Sequence, residues 1–91
     1  MSDQSSTDAL DGSAAAGSFA ELFGIDLSTV TVTCGGCGAA GVFAGQLAFL
    51  GGPGAVLRCP GCEHVVARLV RTTTEYWLDL SGSSSWRFPL E

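Results

Sequence analysis

The sequence contains no lysine, and its strongly basic side chains are four arginines: Arg58, Arg68, Arg71 and Arg87. Nine Asp and Glu residues outnumber them and leave a formal net charge of -5 at pH 7. Proteins that bind phosphate backbones concentrate basic side chains on one surface, so this composition disfavours nucleic acid as a partner. Arg68 and Arg71 also have opposite parity along one predicted strand and should face opposite sides of it. No basic patch is therefore expected.

The sequence also lacks an apolar run long enough to cross a membrane. Its longest, residues 39–50, is interrupted by glycines and a glutamine. The polar residues 1–7 include no basic side chain, and no apolar segment follows them, so no secretory signal is expected. A soluble, cytoplasmic protein with no membrane partner is the prediction. In that reducing compartment, paired cysteines hold a metal or act as redox thiols more often than they form structural disulfides.

What the sequence does contain is two CxxC motifs, CGGC at residues 34–37 and CPGC at residues 59–62. Two such motifs supply four thiolates to a tetrahedral site, while the chain between them folds back as a hairpin. Glycines within the motifs allow backbone N–H groups to approach the sulfurs. We expect one Zn²⁺ bound by Cys34, Cys37, Cys59 and Cys62, with iron as the alternative because it accepts the same ligands. Such a site has no open position for activated water, so no enzymatic activity is expected.

Apolar side chains at helical spacing predict a short N-terminal helix over residues 13–23, ending at Gly24. Its apolar face comprises Ala16, Phe19, Ala20 and Phe23. This face would pack either against the same chain or against another protein. Strands are predicted at residues 29–33, 46–50, 55–58, 65–72 and 76–80. The expected fold is a small metal-stabilised β-rich domain over residues 8–82, with two β-hairpins carrying the cysteine turns. A disordered tail is expected at residues 1–7 and a C-terminal tail at residues 83–91.

The two CxxC turns joined by a β-hairpin resemble those of the zinc-ribbon superfamily. A wider pattern resembles an uncharacterised bacterial zinc-ribbon family of about this length: FGID at residues 23–26, LRCPGC at residues 57–62 and WLDL at residues 77–80. The resemblance covers residues 8–82. It implies a zinc-bound pair of β-hairpins. It assigns no activity, since that family is known only as a domain of unknown function. The turns also resemble those of rubredoxin, which binds iron, although Glu63 stands where rubredoxin has glycine and the hairpin is shorter.

Residues beside the cysteine motifs have competing interpretations. Arg58 either offsets the charge of the neighbouring thiolate or occupies a solvated strand edge. Trp77 shares a strand with Tyr76, Leu78 and Leu80, which are expected in the core, but points to the other side. There it is either a lid over a small hydrophobic cluster or a contact for a partner. His64 is expected to lie outside the ligand set.

The sequence thus predicts a non-enzymatic structural zinc module. It would contact another protein or a second copy through its helix and aromatic residues, with Phe19, Phe23 and Trp77 as the candidates. Three alternatives stay open: a nucleic-acid-associated zinc ribbon of the kind used in transcription, a CxxC thiol redox switch, and an iron-containing electron carrier.

Overall fold

A computed structural model describes residues 10–51 and 54–90 of the chain. The tail expected at residues 1–7 lies outside these residues. In chain order the elements are β1 (Leu10–Asp11), α1 (Ser13–Phe23), β2 (Thr31–Cys34), β3 (Ala40–Val42), a 3₁₀ turn (Phe43–Gly45), β4 (Leu47–Gly51), β5 (Gly54–Arg58), β6 (Val65–Arg71), β7 (Tyr76–Asp79) and β8 (Ser83–Arg87). The prediction of a small β-rich domain with one short helix is confirmed.

The strands form two antiparallel sheets, which is more than the two hairpins that the sequence suggested. One sheet has five strands in the order β1-β4-β5-β6-β7, and the other has three in the order β3-β2-β8. Strand β2 lies at the centre of the smaller sheet, with Val32 opposite Gly41 on one side and Trp86 on the other. Three strands, β1, β3 and β8, have no counterpart in the sequence prediction.

Strand β8 lies within residues 83–91, which the sequence analysis assigned to a C-terminal tail. Residues 83–87 pair with β2 from Thr31 opposite Arg87 to Cys34 opposite Ser83. Trp86 also packs on the core, with its ring centroid 5.8 Å from that of Phe43 and 6.2 Å from that of Phe19. Strand β8 is thus part of the fold, because it pairs with the edge of β2 and places the Trp86 indole against the core.

The helix occupies the range expected from the sequence, and it ends at the expected glycine, Gly24. Gly24 is left-handed, with φ of 77°, and its N–H donates to the Ala20 carbonyl over 2.7 Å. Its buried face differs from the predicted one, because Ala15 rather than Ala16 is fully buried with Phe19. Ala16 and Ala20 lie at the margin of the contact, and Phe23 is half-buried. The helix thus packs on its own chain.

The core lies between α1, the inner side of the five-stranded sheet and the smaller sheet. Its largest fully buried side chains are Phe19, Phe43, Leu27, Leu57, Val30, Val32 and Val66. Gly82 permits a close approach between the sheets, since a Cβ there would overlap the Val65 carbonyl oxygen. Leu78, expected in the core, stays 37% exposed because β7 is the outermost strand of its sheet. No helix within the described residues is long and apolar enough to cross a membrane.

Candidate metal centre

The first cysteine motif forms a tight turn between β2 and β3. Cys34, the last residue of β2, donates its N–H to the Ala39 carbonyl over 2.8 Å and accepts the Gly38 N–H on its own carbonyl over 3.0 Å. The Gly36 N–H donates to Cys34 Sγ over 3.2 Å. Gly38 has a φ of 82°, in the left-handed region that favours glycine. The turn thus aims backbone N–H groups at its first sulfur.

The second motif repeats this turn between β5 and β6. Cys59 donates its N–H to the His64 carbonyl over 2.9 Å and accepts the Glu63 N–H over 2.7 Å. The Gly61 N–H donates to Cys59 Sγ over 3.3 Å. Glu63 occupies the position of Gly38 and is left-handed as well, with a φ of 64°. Because the chain follows the same path in both turns, the first cysteine of each motif is buried and the second is exposed.

The two turns bring all four cysteine sulfurs within 4.8 Å of one another. Cys34 Sγ lies 3.7 Å from Cys62 Sγ, and Cys37 Sγ lies 3.7 Å from Cys59 Sγ. A tetrahedral metal bound to thiolates at about 2.3 Å separates its sulfurs by about 3.8 Å. The cysteines are free, so no disulfide competes for the sulfurs. The donor set therefore fits a single tetrahedral metal ion, with all four ligands that the sequence predicted brought together.

The first and second sulfurs of each motif have different environments. Cys34 and Cys59 are buried, whereas Cys37 and Cys62 are exposed. The N–H groups of Cys37 and Gly36 donate to Cys34 Sγ and lower the pKa of that thiol to about 6, against the effect of burial. For Cys62, the His64 N–H lowers the pKa, but partial desolvation and hydrogen bonding to the other three cysteines outweigh it and raise the pKa to about 12. The backbone N–H groups around Cys34 thus favour its thiolate, the form in which cysteine binds a metal.

Arg58 and His64 flank the second turn without joining the cluster of sulfurs. The Arg58 guanidinium donates to the Glu63 carbonyl over 3.1 Å and lies 5.5 Å above the Phe49 ring. The Arg58 side chain therefore stabilises the backbone of the second turn. His64 is exposed and lies against the first turn, where a Cβ on Gly36 would come within 3.0 Å of its ring. Of the described residues, only the four cysteines form a cluster of metal-ligand type.

The three aromatic residues predicted to contact a partner differ in their exposure to solvent. Phe19 is completely buried, so it cannot contact a partner. Phe23 is half-buried and stacks on Trp86 at 6.2 Å. Trp77 is 64% exposed, and its Nε1 donates to the Glu75 carboxylate over 3.2 Å, so it is not a lid over a hydrophobic cluster. Trp86 is not among the residues predicted to be functional, since its only signal in the sequence is an aromatic residue within a serine-rich segment.

The cysteine cluster lies where the two sheets meet. Cys34 and Cys37 belong to the turn of the three-stranded sheet, and Cys59 and Cys62 belong to the turn of the five-stranded sheet. One ion bound by all four sulfurs would connect the sheets directly. Fold and site together define a small two-sheet β protein with a four-cysteine cluster that could hold a metal.

The chain belongs to a family of unknown function (DUF6510), whose model matches residues 4–91. The match extends through β8. Membership of a family of unknown function, expected from the resemblance, is confirmed, and the match assigns no metal and no activity. Neither a curated protein nor a solved structure matches the chain.

Proposed function

We propose that the chain is a structural zinc module of the zinc-ribbon type, in which one Zn²⁺ bound by Cys34, Cys37, Cys59 and Cys62 connects the two sheets. The observation that carries this proposal is the convergence of the four sulfurs from two different sheets, with cross-turn separations of 3.7 Å. Thiolate ligands in tetrahedral arrangement favour zinc in a structural site.

The proposed role is non-enzymatic. Catalytic zinc sites use three protein ligands and leave a position for water or substrate, whereas four cysteine sulfurs fill a tetrahedron. His64 lies against the turn at Gly36, and Arg58 is engaged by the Glu63 carbonyl. This arrangement supports a module that presents a surface to another protein, in the cytoplasm. The net charge of -5 argues against nucleic acid.

A thiol redox switch is the second candidate, favoured by one observation. Cys37 and Cys62 are exposed, so an oxidant in solution can reach one sulfur of each motif. Iron in place of zinc would use the same sulfurs and would make the purified protein coloured.

Native mass spectrometry of the purified chain tests the zinc proposal, because one spectrum gives the identity and number of metal ions bound. The variant Cys59→Ser should lose zinc, since it removes a buried ligand, whereas His64→Ala should keep one ion. Equal loss from both variants would show that the ligand set is wrong. A zinc-loaded form that releases its metal reversibly under mild peroxide would favour the redox switch.

A further inference from the structure

Strand β7 forms one edge of the five-stranded sheet and pairs with β6 on its other side. At the turn between these strands, the Thr72 N–H donates to the Glu75 carbonyl over 2.8 Å. Hydrogen-bonded pairs alternate along an antiparallel ladder, so the next residues of β7 to bond to β6 are Trp77 and Asp79. Every second residue of β7 therefore turns its N–H and C=O groups away from the sheet.

The residues with outward backbone groups are Tyr76 and Leu78. Among residues 10–51 and 54–90, no hydrogen bond involves the backbone N–H or C=O of either one. A row of free donors and acceptors at strand spacing is a template for another extended chain. The chemistry of this edge therefore specifies its occupant as a β-strand.

The other three edges of the two sheets are short or irregular. Strand β1 has two residues and β3 has three. The ladder of β8 with β2 shifts register between Thr33 and Cys34, and such a bulge disturbs regular pairing at an edge. Strand β7 has four residues in unbroken register, and it contains neither lysine nor proline, which commonly protect edges. Of the four described edges, β7 is the best suited to strand addition.

Two apolar side chains of β7 are exposed at this edge. Trp77 is 64% exposed and Leu78 is 37% exposed, and as neighbours in a strand they point to opposite sides of the sheet. The Trp77 indole is also held in place, because its Nε1 donates to the Glu75 carboxylate over 3.2 Å. A strand added to β7 would cover apolar surface on both sides of the sheet.

We infer that a second copy of the chain pairs with β7, so that two five-stranded sheets join into one across a two-fold axis. Antiparallel β7 strands centred on Trp77 place Tyr76 of each copy opposite Leu78 of the other. Every outward N–H then meets an outward C=O. The inference rests on the proposed function, because it names a second copy as the protein that the zinc module contacts. It also replaces the helix face, whose Phe19 is buried, as the interaction surface.

The side chains of β7 match a second copy. Strand addition by a segment of another protein gains its specificity from recesses that receive alternate side chains. Strand β7 instead presents the protruding indole of Trp77, and the two-fold contact places this indole beside its own counterpart as an aromatic cross-strand pair. The contact also places Glu75 opposite Asp79 of the other copy. Because Asp79 is paired with Arg68 at 3.5 Å, only one exposed carboxylate at each end is left to be screened by salt.

The test is the oligomeric state of the zinc-loaded protein, measured by light scattering over a dilution series. Wild type should be a dimer that dissociates on dilution. Trp77→Lys places two ammonium groups opposite each other and should raise the dissociation constant by at least about tenfold. The matched control is Val42→Lys, which also exchanges an exposed apolar residue for lysine on an edge strand, but in the other sheet. It should leave the dimer unchanged.

Amide hydrogen exchange of wild type locates the contact without any variant. The amides of Tyr76 and Leu78 should exchange slowly in the dimer and rapidly after dilution. A wild type that is monomeric throughout the series overturns the inference, as does a dimer that leaves these amides unprotected or persists in Trp77→Lys. Protection of the two amides only after cell extract is added also overturns it, since another protein would then be the occupant.

Native mass spectrometry separates this inference from the proposed function, because one spectrum counts both zinc ions and copies of the chain. A monomer that holds one zinc ion loses only the inferred dimer. A protein without zinc loses the proposed function, whether or not it forms a dimer.

Discussion

Two residues occupy the same left-handed position in the two cysteine turns, and only one of them is glycine. Gly38 and Glu63 each donate an N–H to the carbonyl of the first cysteine in their turn. A side chain in this conformation costs roughly 1 kcal/mol or more, because its Cβ crowds the backbone. The second turn is therefore strained where the first is not.

Glu63→Gly is expected to raise the free energy of unfolding of the zinc-loaded protein by about 1 kcal/mol, less the entropy that glycine adds to the unfolded chain. Denaturant unfolding at fixed zinc concentration measures the change. Gly38→Ala is the matched variant and should lower stability by a similar amount, since it introduces the same strain into the first turn. A Glu63→Gly protein no more stable than wild type would mean that the glutamate side chain contributes an offsetting contact.

Asp79 is a carboxylate whose titration is perturbed by neighbouring residues of the turn and of β6. Its Oδ1 accepts the Ser81 hydroxyl over 2.6 Å and the Ser81 N–H over 2.9 Å. These bonds, with a smaller contribution from Arg68, hold the pKa of Asp79 below its ordinary value of 3.8. Because the folded pKa is the lower one, this contribution to stability is complete above the ordinary value. It disappears as pH falls through the folded pKa.

Ser81→Ala should therefore raise the pKa of Asp79 toward 3.8, which a carboxyl-carbon NMR titration of the zinc-loaded protein measures. Arg68→Gln should raise it less, since the exposed ion pair contributes after the two Ser81 bonds. If the arginine variant gave the larger rise, the ion pair and not the serine would control the carboxylate.

At the scale of elements, the sequence predicted those with a strong local signal. The helix carries an apolar stripe and a C-terminal glycine, and strands β4 to β7 are apolar runs separated by turn residues. The four candidate metal ligands follow from motif spacing alone. Strand β8 was not predicted, because its serines have little strand preference and its pairing with β2 is a tertiary contact. The same reason explains β3, a short strand that begins within a glycine-rich segment and is fixed by its pairing to β2.

The role of β8 can be tested by shortening the chain. Ending it after Gly82 removes one of the two partners of β2 and removes Trp86 from its contacts with Phe19 and Phe43. We expect loss of the dispersed amide NMR spectrum, because the smaller sheet and the core depend on that strand. A chain ending after Arg87 keeps β8 and should remain folded. A well-dispersed spectrum from the shorter chain would show that the domain folds without β8 and ends at residue 82, as the sequence predicts.

At the scale of the whole molecule, the hydrophobic core and the proposed zinc site both bear on how the two sheets are held together. The hydrophobic core joins α1, β2 and β6, with Val32 and Val66 among its fully buried side chains. The zinc ion proposed for the cysteine cluster would provide a second connection, at the end where both turns emerge. A domain of this size buries a limited apolar surface, and structural zinc contributes about 10 to 16 kcal/mol in small zinc domains. That contribution is comparable to the whole stability of a typical domain, about 5 to 15 kcal/mol.

Removal of the metal by a chelator should therefore unfold the protein, with loss of its β-sheet circular-dichroism signal. The two tryptophans allow a sharper measurement, because Trp86 lies in the aromatic cluster and Trp77 is exposed. In a Trp77→Phe variant only Trp86 emits, and its fluorescence should shift to longer wavelength as the core opens to water. Adding back one equivalent of Zn²⁺ should restore both signals. If the metal-free protein instead kept its β-sheet signal and the emission of a protected Trp86, the core alone would hold the sheets together, and the cysteine cluster would serve something other than the fold.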